Sequence, residues 1–544
     1  MTADRARVVK IDGAPGVGKT TRLEEAVLDE RDNGRSITDV YYVTFARSGR
    51  EESALALAEA YPDVKMEDVR SRAKTFHGVA YTTCAQNDLF ENPDVQIITQ
   101  RNDESVYNRF CEQRGIRYVG ESGNVLKKIR NGEDLSAAGD RLFAVSQWLT
   151  LKQLPADQYH RAPQDLPWPG NRAPTLLEEW DQFKRTARGL RMFEHHDYVE
   201  EAIERRYVPD ADVLYIDEFQ DLSPQEYRLY KFWRDSGEID TVYIAGDPEQ
   251  SIYSFRAAKP LYFEETDVDE SEVLKESWRC PSAVADAAHE VLSSCAVTDP
   301  RGFAGRRDGG RVRRAPLDSA EKLATAVADA ADATETESDV YVLARTNYHA
   351  WRVAKALKGR NVPHRWLGRR RNAWEDLAGT LQALRSIQRG AGRIGGQSGT
   401  ELLERAPRSV SRRQSELTAE TGEGFDPRAV RAAFDGAVAA EIPAKLDLTD
   451  ARQEMLVSAL RSDRELTPED VRIGTIHSSK GLEADTVFLV DGYPSTLREA
   501  YRDNEAVRAE EHRLYYVGVT RAKRELVVVD DYCDGAAPPL EVIP

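Results

Sequence analysis

The sequence predicts an α/β protein with two parallel-sheet cores, each interrupted by a mainly helical insertion. Three observations carry that expectation. The 544 residues exceed one ordinary domain. Short β-branched runs alternate with stretches of helical periodicity, the pattern of a parallel sheet. Polar residues of catalytic type follow several of these runs, at the sheet edge where open α/β folds place ligands.

The first strand expected is Arg7–Asp12, followed by a Gly-rich loop and the helical segment TTRLEEAVLDER. Val40–Phe45, Asp212–Ile216 and Thr241–Ala245 are read as further strands of the same sheet. Residues 1–81 and 192–268 then form the first core. The helical stretch 82–191, with a Pro-rich break at Leu166–Pro174, is its insertion. The second core is expected over residues 269–389 and 467–544, with strands at Val340–Ala344, Thr486–Val490 and Glu525–Val529. Its insertion spans residues 390–466. The arginines from Arg385 to Arg413 form a basic island there, a pattern that favours a solvated surface segment over a duplex contact.

Composition narrows the function classes. No apolar run approaches the roughly 20 residues of a membrane span, and the N-terminus lacks a secretory h-region. A cytoplasmic protein without membrane partners is expected. The cysteines Cys84, Cys111, Cys280, Cys295 and Cys533 form no CxxC pair, so reduced and mostly buried thiols are expected. The net charge of −18 opposes polyanion binding at long range. Screening confines that repulsion to about 10 Å at moderate salt, so a locally basic or aromatic channel can still bind a nucleic acid. Abundant carboxylates, with Arg far outnumbering Lys, fit a halophilic, haloarchaeal setting, in which stability rises into molar KCl.

Gly13-Ala14-Pro15-Gly16-Val17-Gly18-Lys19-Thr20 matches G-x-x-x-x-G-K-[ST] between a strand and a helix. Gly13, Gly16 and Gly18 let backbone N–H groups approach phosphates, and the helix N-terminus favours anions. Lys19 is positioned for β- and γ-phosphates, Thr20 for Mg²⁺, and Thr21 extends the same first turn. Further on, Asp217 and Glu218 end an apolar strand within the run DEFQD. Phosphoryl transfer to water needs a carboxylate for the metal and a group that positions water. Asp217 suits the first role and Glu218 the second.

The run DEFQD resembles motif II of the UvrD/Rep family (PcrA-like members included) of superfamily-1 DNA helicases. Seven more segments follow in that family's order. Thr44–Ala46 and Thr75–Gly78 resemble motifs Ia and Ib. Gly246–Arg256 is similar to motif III and Ser277–Arg279 to motif IV. Ala344–Asn347 matches a segment of the second core, while Thr475–Glu483 and Tyr515–Ala522 resemble motifs V and VI.

The resemblance implies two RecA-like P-loop domains sharing one ATP with Mg²⁺. It implies that Gln250 contacts the γ-phosphate and that Arg279 and Arg521 stabilise transition-state charge. Trp278 would stack on the base, and Glu483 would reach the ribose. Phe45, His77, Tyr253, Phe255, Arg256 and His477 would line a single-strand channel. Tyr253 and Phe255 would be the base-stacking pair, while core packing is the competing reading for Phe45, His77, Arg256 and His477 taken alone. Movement 3′→5′ on single-stranded DNA, action at single-strand/duplex junctions and a monomeric state are implied as well.

The pattern is broken in three places. An upstream Gln motif that would select adenine is not visible. The second insertion is short, which favours translocation over unassisted unwinding. No nuclease signature follows Arg521, so a helicase–nuclease in one polypeptide is not expected, and a nuclease or repair factor is a candidate separate partner.

Overall fold

In the computed structural model the chain is described for residues 5–45, 49–98, 103–120, 137–162, 172–186, 191–253, 257–296, 300–333, 339–368, 372–418, 424–462, 464–530, 532–533 and 535–544. It divides into two units. One comprises residues 1–278 and 300–304, the other residues 279–299 and 305–544.

The first unit is organised by a six-stranded parallel sheet. Its order is Ala73–Thr75, Val40–Thr44, Val213–Ile216, Thr241–Gly246, Arg7–Gly13, Glu270–Leu274. The central strands are apolar throughout because both faces are covered, as parallel sheets require. Alternate residues sort cleanly. Tyr41, Val43, Leu214 and Ile216 pack with Phe76, Phe219, Leu229 and Trp233 in one cluster. Val40, Tyr42, Val213 and Tyr215 face Leu23, Val27, Leu57 and Val69 in another. Helix Pro224–Arg234 enters through a capping box in which Ser223 and Glu226 satisfy each other's backbone N–H groups.

The sequence reading starts the second core at residue 269, and the structure places that boundary later. Strand Glu270–Leu274 pairs with Arg7–Gly13 and completes the first sheet. The expected insertion also begins later than residue 82. Helix Phe76–Gln86 is continuous, and its Val79, Ala80 and Cys84 belong to the first sheet's core. Helices Asp103–Glu112, Ala138–Lys152 and Ala173–Thr186 then build a separate aromatic cluster around Phe110, Phe143 and Trp180. Strands Val95–Ile97 and Arg191–Phe193 pair in parallel at its entry and exit.

The second unit carries its own parallel sheet, ordered Arg311–Pro316, Ala522–Asp530, Ala484–Val490, Val340–Ala344, Val471–Thr475, Arg365–Trp366. Both sheets bear out the α/β, two-core reading. The helical insertion starts earlier than residue 390, because helix Ala373–Gln388 supplies Trp374, Leu377, Leu381 and Leu384 to its core. That core continues to Leu460.

All five cysteines are buried and none is in a disulfide, and burial pushes the Cys84 and Cys111 thiols up to about 12. No helix among the described residues is long and apolar enough to cross a membrane.

At the end of strand Val340–Ala344, Arg345 donates through Nε to Glu511 Oε2 at 2.7 Å and through Nη2 to Oε1 at 2.5 Å. Both side chains are buried. A bidentate pair satisfies two charges that would be costly alone. Glu511→Ala should lower unfolding stability by about 3–5 kcal/mol, whereas an apolar pair replacing both residues should recover most of it. Denaturant titrations of the three proteins check this.

Candidate nucleotide and DNA site

The phosphate loop leaves strand Arg7–Gly13 and ends at helix Lys19–Asp32. Gly18 has φ 94°, a left-handed conformation that any side chain would strain, and no side chain caps the helix start. The first-turn N–H groups are therefore left for an anion. Lys19 Nζ arches back over the loop and donates to the carbonyls of Gly13 and Ala14, at 2.7 and 3.0 Å. Ser277 Oγ donates to the Pro15 carbonyl at 2.7 Å, and Trp278 N donates to Gly16 O at 2.8 Å. The indole of Trp278, anchored by its backbone on the loop, is 58% exposed.

Asp217 and Glu218 follow strand Val213–Ile216. Asp217 N continues the sheet by donating to Val43 O at 3.0 Å. Glu218 sits at φ 56°, an outlier for a non-glycine residue of the kind that clusters at functional sites. The turn places Asp217 beneath the loop, within electrostatic reach of Lys19. Burial, reinforced by the neighbouring Glu218 charge, pushes Asp217 up to about 7, and Lys19 opposes the rise.

Gln220 joins this turn to the next strand end. Its Nε2 donates to Glu218 Oε2, and its Oε1 accepts from Asp247 N at 3.0 Å. Ser251 Oγ donates to the Gln220 carbonyl at 3.2 Å. Asp247 in turn accepts from Gln250 Nε2 at 2.8 Å and from Glu249 N at 3.0 Å. A Cβ on Gly246 would sit 2.5 Å from Gln220 Oε1, so glycine is needed where the bridge lands. Burial raises Asp247, and burial with the Asp247 charge raises Glu249 to about 7. Arg301 closes the cluster. It pairs with Asp12 and Glu264, and its backbone N–H donates to Glu249 Oε1 at 2.7 Å.

Tyr253 lies three residues beyond Gln250, and its ring meets that of Phe45 with centroids 5.1 Å apart. Both rings are half-buried at the carboxyl edge of the first sheet. Phe255 and Arg256, the adjacent candidates for the strand channel, lie outside the described residues. His77 contacts His196, Nε2 to Nδ1, at 3.1 Å and Glu226 Oε1 at 3.5 Å. That network accounts for its position without a ligand.

In the second unit Arg279 Nε donates to Glu483 Oε2 at 2.5 Å. The two residues assigned separately to phosphate and ribose are thus partners here. Arg521 is fully buried, and donates to the carbonyls of Val517 and Leu482 and to Thr520 Oγ1. His477 is half-buried in the turn Ile476–Ser479 after strand Val471–Thr475.

The donor set fits Mg²⁺. Thr20 is exposed at the helix start, and Asp217 is half-buried at the end of strand Val213–Ile216, within electrostatic reach of Lys19. No group of three or more metal-binding side chains occurs among the described residues. Mg²⁺ ordinarily takes one or two protein oxygens and completes its shell with phosphates and water.

Residues 2–270 match the family model of the UvrD/REP helicase N-terminal domain, and residues 441–530 match the UvrD-like helicase C-terminal domain. The chain belongs to the UvrD/Rep family of superfamily-1 DNA helicases. The ATP-dependent DNA helicase UvrD2 of Mycobacterium tuberculosis is 23% identical over 569 residues, covering 97% of this chain and 77% of the relative. UvrD1 of the same species is 24% identical over 471 residues, with coverages of 65% and 61%. PcrA of Staphylococcus epidermidis is 26% identical over 165 residues, 28% of this chain and 22% of its own.

For this helicase, sequence reasoning assigned no role to Gln220, Asp247, Ser277 or Arg301. The first three stood inside recognised motifs, so their polarity within apolar surroundings was the available signal. Arg301 lies in the short segment by which the chain returns to the first unit, and nothing local marks it.

Asp217 also yields a pH prediction. Its value is about 7 folded against 3.8 unfolded. The folded state therefore holds the extra proton between those values, and stability falls as pH rises through that window, by up to about 1.4 kcal/mol per pH unit. Asp217→Asn should flatten this dependence in the nucleotide-free protein. Denaturant midpoints at a series of pH values measure it.

Proposed function

We propose that this helicase is a DNA-dependent ATPase that moves 3′→5′ along single-stranded DNA and opens duplex at single-strand/duplex junctions in DNA repair or replication restart. It acts as a cytoplasmic monomer, with a nuclease or repair factor as partner. One observation carries the reading. Gln220 joins the carboxylate turn of Asp217 and Glu218 to the segment bearing Asp247 and Gln250, and that segment ends at the Tyr253–Phe45 ring pair. A change at the nucleotide therefore has a short, buried route to the aromatic rings.

In this reading Gly13, Gly16, Gly18 and the first-turn N–H groups bind the phosphates. Lys19 exchanges the Gly13 and Ala14 carbonyls for phosphate oxygens. Thr20 and Asp217 would hold Mg²⁺, which would supply charge neutralisation on the phosphates. Glu218, oriented by Gln220, positions the attacking water and accepts its proton. Gln250, Arg279 and Arg521 stabilise charge on the transferred group, a contribution of about 10³–10⁵ in rate where an arginine does this. Trp278 offers its exposed face to the base and Glu483 its carboxylate to the ribose. Phe45, Tyr253 and His477 line the strand track, to which the sequence adds Phe255 and Arg256, while His77 serves the His196 and Glu226 network beside it. Stacking bases on aromatic rings is worth about 1–3 kcal/mol each and tolerates any sequence.

The compact second insertion supports a further reading, a translocase that strips proteins from single strands and unwinds little. A forked duplex separates the two, because the translocase leaves it closed while consuming ATP.

Lys19→Ala should reduce DNA-stimulated ATP turnover by at least about 10³-fold, and Arg279→Ala should lower kcat by a similar factor with a smaller change in KM. Unchanged turnover in Lys19→Ala sinks the site assignment. Steady-state ATPase assays with and without single-stranded DNA, over a KCl series, make both tests and the salt test together.

A further inference from the structure

The second unit carries a groove of about 400 Å³ that none of the helicase motifs uses. Helix Asn347–Gly359 forms one wall, with Tyr348, Trp351, Arg352 and Lys355 along it. Tyr532 and the first residue of helix Ala320–Asp332 form the other. Tyr348 and Trp351 are 61% and 52% exposed. Single exposed apolar side chains are ordinary, but here two large aromatic faces stand one helical turn apart and form one open patch.

The charge beside them is positive. Lys355 Nζ lies 5.6 Å from the Trp351 ring centroid and is exposed. Arg352 is held in place by the Tyr532 carbonyl at 2.9 Å, with its guanidinium 5.5 Å from the Tyr532 ring centroid. Tyr532 Oη donates back to the Arg352 carbonyl at 3.0 Å. Arg360 at the groove's end pairs with Glu321, so Lys355 and Arg352 carry the groove's charge. The amino end of helix Ala320–Asp332 adds partial positive charge.

We propose that this groove binds single-stranded DNA as a second contact, outside the motor's own track. Exposed aromatic faces beside cations are the combination that binds single strands, bases on the rings and phosphates on the cations. A duplex offers no free base face to Tyr348 or Trp351. In a chain of net charge −18 a polyanion is held only where cations and rings coincide. The proposal rests on the single-strand reading above, and lengthens the strand that one molecule holds.

The test uses the full chain with oligothymidylates of about ten and about forty nucleotides, the shorter within the size one such site holds. Trp351→Ala and Lys355→Gln are both exposed changes, and thermal unfolding checks that each variant is folded. Trp351→Ala should weaken the long oligonucleotide about tenfold and the short one less than twofold. Lys355→Gln should reduce the slope of log affinity against log salt by about 0.7 for the long oligonucleotide, the loss of one phosphate contact.

Equal affinities and slopes in variants and unaltered protein overturn the proposal. So does loss of binding to a Glu-rich, Trp-containing peptide with oligonucleotide binding intact, which assigns the groove to an acidic protein partner. Failure of DNA to stimulate ATP turnover in the unaltered protein overturns the motor reading instead, and leaves the groove to its own binding measurement.

Discussion

The nucleotide site depends on one buried side chain, Gln220, which ties two strand ends together. Parallel strands bring their carboxyl ends to one edge, but each end leaves into its own loop. Without a cross-link the loops after Val213–Ile216 and Thr241–Gly246 would respond separately to what binds them. The Gln220 amide donates to Glu218 and accepts from Asp247, so the turn and the neighbouring segment hold one geometry. A buried amide of this kind is costly unless every group is matched. That is why the chain places a glycine at residue 246, where any Cβ would meet the bridge.

Electrostatics follow from the same packing. Asp12, Asp217, Asp247 and Glu249 crowd an edge that the sheet shields from water, and burial raises the last three. Lys19 and Arg301 offset part of that charge. The arrangement holds unfavourable carboxylate proximity that a bound cation relieves. An anion at the loop would compete with the Gly13 and Ala14 carbonyls for Lys19. Stability is set aside here for binding, whereas the Arg345–Glu511 pair in the second unit spends comparable charge on structure alone.

Much of the fold was legible because buried strands are continuous apolar runs. Val40–Thr44, Val213–Ile216, Thr241–Gly246 and Val340–Ala344 stand close to where their sequences suggest. Edge strands were not legible. Glu270–Leu274 exposes most of its side chains and Arg311–Pro316 is arginine-rich and mostly half-buried, so their residues carry little apolar signal. Only the partner strand's backbone makes them strands. Missing them moved the first core's boundary from residue 278 back to 268. Helices were misplaced for the opposite reason. Phe76–Gln86 and Ala373–Gln388 are apolar enough to suit either a core or an insertion, and periodicity does not say against which element a face packs.

The sequence by itself determined the chemistry: a phosphate loop, an adjacent pair of carboxylates and an ordered series of motifs, each readable because it is local in the chain. The tertiary structure decided which of these groups meet. It joined Glu218 to Asp247 through Gln220, paired Arg279 with Glu483, occupied His77 with His196, and set Tyr348 and Trp351 in a groove with Tyr532. The reason is that a motif fixes residue types over a few positions, whereas contact across dozens or hundreds of residues depends on how the sheets order their strands.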